Sequence, residues 1–173
     1  MGSLSHRDFY FVRHGQTDHN SGKIEGEHLD ISLNKTGRGQ AVAIEPLIAT
    51  LPLRFACLSP LRRAKETTDI LLRNLPLKRL EVAEFSECAL TTWNQMRKGD
   101  LSDPVAQFLQ TVAIGLKQVL VEKGPSLIVA HGGIYFAICK TLGIPGDGII
   151  NNCVPVWFHF NEKKDLWQMR DCI

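Results

Sequence analysis

The chain has 173 residues, of which 44% are hydrophobic and 22% charged, as is typical of one globular domain, and we treat 1–173 as a single domain. Twenty Lys and Arg residues against eighteen Asp and Glu give a formal net charge of +2, which excludes the strongly basic surface of a nucleic-acid-binding protein. None of the five cysteines forms a Cys-x-x-Cys pair, and no apolar run approaches the roughly 18 residues that span a bilayer. These features predict a cytoplasmic protein with no membrane partner.

Short apolar runs that end in polar residues or glycine alternate along the chain with longer stretches of helical periodicity. Strands are predicted over 9–12, 55–58, 78–82, 127–130, 156–160 and 166–170. Helices are predicted over 36–50, from 60 to just before Pro76, over 103–123 and over 132–142. The stretch from Glu84 to Asp103 has no clear period and is predicted to be a long functional loop or an irregular short helix.

The alternation of strands and helices predicts an α/β fold, a three-layer α/β/α sandwich with a mostly parallel central sheet. The continuous apolar run 127–130 indicates a central strand that is covered on both faces. The last two strands are joined by a charged turn, 161–165, and are predicted to form a C-terminal hairpin at the edge of the sheet.

Polar residues follow three of the predicted strands directly, at the sheet edge where ligands bind in open α/β folds. Arg13 and His14 follow the first strand, the segment 59–64 follows the second, and His131 follows the fourth. Guanidinium groups bind phosphoryl oxygens in a bidentate manner, and helix N-terminal amides near Arg63 and Gly132 would add donors. A neutral imidazole can attack phosphorus if an acid protonates the leaving oxygen, and Glu84 or Glu87 could supply that proton.

Four ordered motifs at these strand ends resemble those of the histidine phosphatase superfamily, also called the phosphoglycerate mutase-like family. Arg13-His14-Gly15-Gln16-Thr17 with Asn20 is similar to the family's R-H-G-[EQ]-T-x-x-N signature. Its continuation, G-x-x-D-x-x-L-T-x-x-G-x-x-Q-A, is approximated by Gly26, Asp30, Leu33, Thr36, Gly37, Gln40 and Ala41. Ser59-Pro60-Leu61-Arg62-Arg63-Ala64-Lys65-Glu66-Thr67 resembles S-x-L-x-R-A-x-x-T, and His131-Gly132-Gly133 resembles the second-histidine motif.

The resemblance implies that His14 is a nucleophile that becomes phosphohistidine. Arg13, Arg63 and His131 would surround the phosphoryl group, and Asn20, Gln16, Gly26 and Gly132 would support or bind the substrate. Glu87 and Trp93 reproduce the Glu–Trp spacing of the family's E-x-x-x-G-x-W-E-G motif, so Glu87 is the predicted acid and Glu84 the second choice. The chain departs from the family pattern at His19, Thr91, Asn94 and Gln95.

These features predict a phosphomonoesterase of the histidine acid phosphatase type, which needs no metal and no cofactor because arginines and protonated imidazole supply the positive charge. Its substrate would be a small-molecule phosphomonoester or a phosphoprotein, selected by the loops 21–30 and 88–101. His28 lies in the first of these loops and could overhang the pocket. The cysteines are interpreted as small buried hydrophobes because none occupies a motif position.

Three alternatives stay open. A cofactor-dependent phosphoglycerate mutase would return the phosphoryl group to its substrate, but the roughly twenty residues available between the third strand and the next helix predict an open site that favours hydrolysis. A phospho-ligand binding module would keep the pocket with reduced turnover. A metallohydrolase would use His14 and His131 as ligands, which two neighbouring arginines disfavour.

Overall fold

A computed structural model of the chain describes residues 5–26, 30–145 and 150–172. Its strands are β1 (Phe9–Arg13), β2 (Phe55–Leu58), β3 (Lys78–Glu81), β4 (Ser126–Ala130), β5 (Pro155–Asn161) and β6 (Leu166–Asp171). Its helices are α1 (Lys35–Thr50), α2 (Arg62–Leu71), α3 (Leu90–Arg97), α4 (Asp103–Val121) and α5 (Gly132–Thr141), with a 3-10 helix at Ala83–Phe85. The predicted position of His28 lies outside the described residues.

The strands of the described chain form one sheet in the order β3-β2-β4-β1-β5-β6. Strands β3, β2, β4 and β1 pair in parallel, whereas β5 runs antiparallel to both β1 and β6. The mostly parallel sheet with an antiparallel hairpin at its edge is therefore confirmed.

Both faces of the sheet carry apolar side chains because successive strand residues point to opposite sides. On one face Phe11 of β1 belongs to a buried cluster with Leu116 of α4 and Ile138 of α5. On the other face Val12 belongs to a second cluster, which it shares with Ile48 of α1 and Leu71 of α2. The sheet is thus sandwiched between two helical layers, as the sequence predicted.

The neighbouring strands β1 and β4 mark a switch point in the topology. The chain leaves the carboxyl end of β1 for α1 and the carboxyl end of β4 for α5, and these two helices cover opposite faces of the sheet. A crevice therefore opens between the two strand ends, which is where ligands bind in open α/β sheets.

The boundaries of two predicted elements differ in the structure. Helix α2 begins at Arg62, with Leu61 as its N-cap, and ends at Leu71, so it is shorter at both ends than predicted. The aperiodic stretch after β3 contains the 3-10 helix and the eight-residue helix α3. Helix α3 buries only Thr92 and Met96, so it lacks the apolar stripe by which sequence reasoning detects a helix.

Two glycines let helix α1 approach the loop after β1. A Cβ on Gly15 would overlap the carbonyl group of Gly37, and a Cβ on Gly37 would overlap the backbone of Gln16. The α1 N-cap reinforces this contact, because Asn34 accepts a hydrogen bond from Gly37 N at 2.8 Å through Oδ1 and donates one to Gln16 Oε1 at 3.1 Å. Helix α1 thereby holds the loop that follows β1.

Helix α4 is long and apolar enough, by length and composition alone, to cross a membrane, with a mean hydropathy of 1.2. In the structure, one face of this helix packs into the core through Val112, Leu116, Val119 and Leu120, each at most 2% exposed. Core helices commonly have this pattern, so the helix is weak evidence for a membrane span. Polar residues interrupt its apolar run, so the sequence did not predict a membrane span here.

Candidate active site

A cavity of about 410 Å³ opens at the carboxyl ends of β1 and β4. It is lined by Arg13, His14, Thr17, His19, Asn20, Gly26, Ile31, Leu61, Arg63, Ser86, Glu87, Cys88, Leu90, Trp93, Gly132, Gly133 and Ile150. The lining therefore includes most of the residues that the sequence selected. The two arginines and one carboxyl group that converge on it come from three separate segments of the chain.

His14 follows β1 and is only 2% exposed. Its Nδ1 lies 2.7 Å from the carbonyl oxygen of Gly15, and because a carbonyl only accepts, Nδ1 carries the proton. Burial lowers the pKa of His14 well below its usual value, and the charges of Arg63 and Arg13 lower it further, while the bond to Gly15 opposes them. The ring is therefore neutral near pH 7, with its lone pair on Nε2.

Two arginines from different elements surround this ring. Arg63, in the first turn of α2, donates a hydrogen bond from Nε to His14 Nε2 at 3.1 Å. Arg13, the last residue of β1, donates from Nη1 to the carbonyl oxygen of Ile150 at 2.8 Å, while its buried Nε has no hydrogen-bond partner among the described residues. Burial lowers the pKa of both arginines, and the charge of Glu87 raises it. The cavity therefore presents concentrated positive charge beside a neutral imidazole.

His131 follows β4 and is the N-cap residue of helix α5. It is fully buried and is not among the lining residues. Its ring meets the ring of His14 edge-on, with the centroids 5.1 Å apart. Its Nε2 is hydrogen-bonded to Ser59 Oγ at 2.7 Å, and Nδ1 has no partner among the described residues. Burial, then its neighbours His14 and the arginines, lower the pKa of His131 well below its usual value. The second histidine is thus neutral and lies against the first. The expectation that a protonated imidazole supplies positive charge is therefore wrong, because burial and the two arginines disfavour the charged form of both histidines.

Glu87 is the carboxyl group of the cavity. Its Oε2 accepts a hydrogen bond from Gly133 N in the first turn of α5 at 3.2 Å, and its Oε1 accepts one from Cys88 N at 3.1 Å. Burial raises the pKa of Glu87, although the two backbone bonds and both arginines oppose that shift. A carboxyl group with a raised pKa keeps its proton at a pH at which an ordinary glutamic acid is ionised.

Glu84, the second choice for the acid, lies elsewhere. Its side chain accepts a hydrogen bond from Gln118 of α4 at 3.2 Å, and it does not line the cavity. Of the predicted substrate-binding residues, Asn20, Gly26 and Gly132 line the cavity. Gln16 does not, because its side chain is bound to Asn34.

Sequence reasoning missed a clamp on the end of β1. The Ile150 carbonyl binds Arg13, Cys153 N donates to the Arg13 carbonyl at 2.9 Å, and Asn152 Nδ2 donates to the His14 carbonyl at 2.7 Å. Cys153 adopts a φ of 55°, which is uncommon for a non-glycine residue. No local pattern marks this segment, which lies more than 130 residues away in the chain.

Cys88 departs from the interpretation of the cysteines as small buried hydrophobes outside the site. It is half-buried, lines the cavity, and its Sγ lies 3.7 Å from Glu87 Oε1. Burial, then the charge of Glu87, raises the pKa of the Cys88 thiol to about 12. The thiol is therefore protonated at neutral pH. Cys57, Cys139 and Cys153 are buried as expected.

No group of three or more His, Cys, Asp or Glu side chains in the described ranges is arranged to hold a metal ion. The donors that do converge on the cavity are the guanidinium groups of Arg13 and Arg63. Such donors suit an anion.

Comparison with known families and curated proteins gives consistent matches. The family model of the histidine phosphatase superfamily (branch 1) matches residues 9–112. The chain is 39% identical over 179 residues to the uncharacterized phosphatase PhoE of Bacillus subtilis, covering 92% of this chain and 91% of that protein. It is 26% identical over 187 residues to the adenosylcobalamin/alpha-ribazole phosphatase of Salmonella typhi, covering 94% and 89%.

Another curated relative is much longer than the chain. An agropine synthesis reductase of Rhizobium rhizogenes is 28% identical over 156 residues, and the match covers 79% of this chain but only 35% of that protein. The chain thus spans about a third of the length of this relative.

Solved structures share the fold at low sequence identity. A putative alpha-ribazole-5'-P phosphatase of Escherichia coli matches with a TM-score of 0.74 and 19% identity, covering 95% of this chain and 96% of that one. Bacillus stearothermophilus YhfR matches with a TM-score of 0.75 and 16% identity, covering 96% of both chains. These matches show that the chain shares their arrangement of helices and strands.

Proposed function

The chain belongs to the histidine phosphatase superfamily, and from that membership we propose that it hydrolyses phosphate monoesters through a phosphohistidine formed on His14. One observation carries the proposal. Arg13 Nε and His131 Nδ1 are buried without partners in the described part of the chain, and they belong to the residue before a neutral His14 and to the histidine whose ring contacts it. Unpaired buried donors are costly, and the oxygens of a phosphoryl group would satisfy them.

The hydrogen bonds around His131 favour a donor role for its Nδ1. Ser59 Oγ accepts a hydrogen bond from Leu61 N at 3.2 Å, so its hydroxyl proton is available to His131 Nε2. When Ser59 donates to His131 Nε2, the imidazole proton is on Nδ1, and Nδ1–H is the only group of the His131–Ser59 pair without a partner among the described residues. When His131 Nε2–H instead donates to Ser59, the Ser59 hydroxyl proton lacks a partner as well. We therefore assign His131 Nδ1–H to a phosphoryl oxygen.

The reaction proceeds in two steps. His14 Nε2 attacks phosphorus as the bond to the leaving oxygen breaks, and that oxygen takes the proton of the Glu87 carboxyl group. Water then attacks the phosphohistidine, the N–P bond breaks, and the Glu87 carboxylate accepts a proton from the water. Inorganic phosphate leaves, and both residues return to their starting states. Arg13 and Arg63 stabilise the charge that develops on the phosphoryl oxygens.

The two arginines supply the charge that a metal would otherwise provide, so we propose metal-independent catalysis of the histidine acid phosphatase type. The relatives include phosphatases named for different substrates, which supports the reaction class and leaves the substrate to be identified. The free thiols of the five cysteines support a cytoplasmic location.

The test is phosphate release from a panel of phosphomonoesters, including p-nitrophenyl phosphate, by the wild type and by His14→Ala in the presence of a chelator. His6→Ala is the matched control because His6 is exposed and stacks on Phe160, outside the cavity. We expect His14→Ala to fall below a few per cent of wild-type turnover with unchanged circular dichroism. Acid-labile, base-stable phosphate should be trapped on wild-type His14 after a quench.

The binding module and the metallohydrolase each predict a different result. A wild type that binds orthovanadate but releases no phosphate would indicate a binding module. Loss of activity on chelation, restored by a divalent metal, would indicate a metallohydrolase. Either result would contradict the covalent route.

A further inference from the structure

The cavity has a large apolar wall outside its charged end. That wall consists of Ile31, Leu61, Cys88, Leu90, Trp93 and Ile150. The Trp93 ring packs edge-on against Phe136 with centroids 5.7 Å apart, and both belong to a small core cluster under α3 and α5. Trp93 is therefore anchored to the core, and Leu90, 50% exposed at the start of α3, lies at the solvent-exposed end of the wall.

The guanidinium groups of the cavity lie at its phosphate end, and its other polar lining side chains are Thr17, His19, Asn20, Ser86 and Glu87. All twenty Lys and Arg residues of the chain lie in the described ranges, and Arg13 and Arg63 are the ones that line the cavity. Arg97 lies over the Trp93 ring, 5.8 Å from its centroid, without lining the cavity. A second phosphate or a carboxylate on the substrate would therefore leave water for an apolar wall without a matching cation, which is unfavourable.

Resting on the phosphatase activity proposed above, we infer that the preferred substrates are monoesters of uncharged, apolar alcohols that carry a single phosphate and no carboxylate. The phosphoryl group binds at Arg13 and Arg63, and the alkyl or aromatic part of the alcohol lies against Leu90 and Trp93. Burial of that part supplies binding free energy in proportion to the apolar area removed from water.

A series of ethyl, butyl and hexyl phosphates tests this inference, because the leaving alcohols differ little in acidity and the chemical step is held nearly constant. We expect kcat/KM to rise roughly two- to fourfold for each methylene that the wall covers, the fold-change that corresponds to burial of a CH2 group. The phosphate ester of 6-hydroxyhexanoate has the length of hexyl phosphate with an added carboxylate. We expect it to be at least tenfold poorer than hexyl phosphate.

A positive charge placed on the wall should weaken the preference for hexyl phosphate over the carboxylate ester. In Leu90→Lys the new ammonium group lies at the rim, and we expect the ratio of kcat/KM for hexyl phosphate over the carboxylate ester to fall at least tenfold. Leu101→Lys makes the same change at a residue that is 79% exposed and outside the cavity, and it should leave the ratio unchanged.

The outcomes separate the two proposals. A wild type that releases no phosphate even from p-nitrophenyl phosphate contradicts the phosphatase activity itself. A wild type that hydrolyses esters, but with kcat/KM flat across the alkyl series or higher for the carboxylate ester, leaves the activity intact and overturns the inference about the substrate. An equal change of the ratio in Leu90→Lys and Leu101→Lys would likewise overturn it.

Discussion

The protonation state of His14 follows from its surroundings. Burial and two nearby positive charges disfavour the imidazolium form, and the Gly15 carbonyl directs the remaining proton to Nδ1. Below its lowered pKa, His14 would gain a proton at Nε2 and could no longer attack phosphorus. The proposed phosphoryl transfer should therefore keep its nucleophile well into the acidic range.

The two adjacent arginines of α2 should contribute unequally. Arg63 is 9% exposed and hydrogen-bonded to His14, whereas Arg62 is exposed and does not line the cavity. We expect Arg63→Ala to lose about 2–4 kcal/mol of transition-state stabilisation in kcat/KM, and Arg62→Ala to lose little. Arg63→Lys should not restore the rate, because an ammonium group lacks the bidentate fork. Equal losses at both positions would contradict the assignment.

Substitution of Glu87 and of Glu84, one at a time, tests which of the two is the acid. Glu87→Gln should slow the hydrolysis of alkyl phosphates far more than that of p-nitrophenyl phosphate, whose leaving group needs little protonation. Glu84→Gln is the control, because Glu84 is bound to Gln118 outside the cavity. A leaving-group bias seen in Glu84→Gln alone would transfer the acid role to Glu84.

The pH dependence gives a second measurement of the acid. Burial raises the pKa of Glu87, so the proton needed by the leaving oxygen is present below that raised pKa and lost as the pH rises through it. For alkyl phosphates, kcat in the wild type should fall on this alkaline limb, at a pH above the usual range of glutamic acid. In Glu87→Gln that limb should be absent, and its persistence would argue against Glu87.

At the scale of elements, the first turn of α5 holds the acid. Gly133 N donates to Glu87 Oε2, and a Cβ on Gly133 would overlap Glu87 Oε1 and lie 3.0 Å from Cys88 Sγ. A helix N-terminus and a partly ionised carboxyl group attract each other, which opposes the effect of burial. The glycine is thus required for close approach of the side chain and not for an unusual backbone angle.

Gly133→Ala should displace Glu87 and reproduce the leaving-group bias of Glu87→Gln without unfolding the chain. Gly39→Ala in α1 is the matched control, because a Cβ there meets nothing within 4 Å. We expect Gly39→Ala to keep the wild-type bias and to stabilise the fold by up to about 1 kcal/mol, as alanine exceeds glycine in helix propensity. Kinetics on alkyl phosphates and p-nitrophenyl phosphate, with thermal unfolding, measure both effects. Wild-type bias in Gly133→Ala would show that Glu87 does not need this contact.

At the scale of the whole molecule, the charge of the cavity bears on the choice between phosphatase and mutase. A mutase must hold a bisphosphate while it reorients, and the cavity lining has only Arg13 and Arg63 as residues of fixed positive charge. By the preference inferred above, 3-phosphoglycerate is a poor substrate because it carries a carboxylate. We expect incubation with it, with and without 2,3-bisphosphoglycerate, to release phosphate slowly and without efficient isomerisation. Efficient formation of 2-phosphoglycerate with little phosphate released would contradict the phosphatase proposal and support the mutase alternative.

Local patterns were enough to predict much of the fold. Apolar runs identified the strands, and polar residues at their carboxyl ends identified Arg13, His14 and His131. Glu87 was selected by its spacing to Trp93, and the structure places Glu87 in the cavity and Glu84 outside it. Helix α3 stayed ambiguous because it buries too little apolar surface to leave a periodic pattern.

By itself the sequence determined the layered α/β fold and which strand ends carry charge, because strand and helix periodicities are local properties of the chain. Only the tertiary structure decided how His131 lies against His14, how the segment 150–153 clamps β1, and how Cys88 and the apolar wall enter the cavity. The physical reason is distance along the chain. Asn152 binds the backbone of a residue 138 positions earlier, and such a pairing is set by packing of the whole sheet, which leaves no mark in any short stretch of sequence.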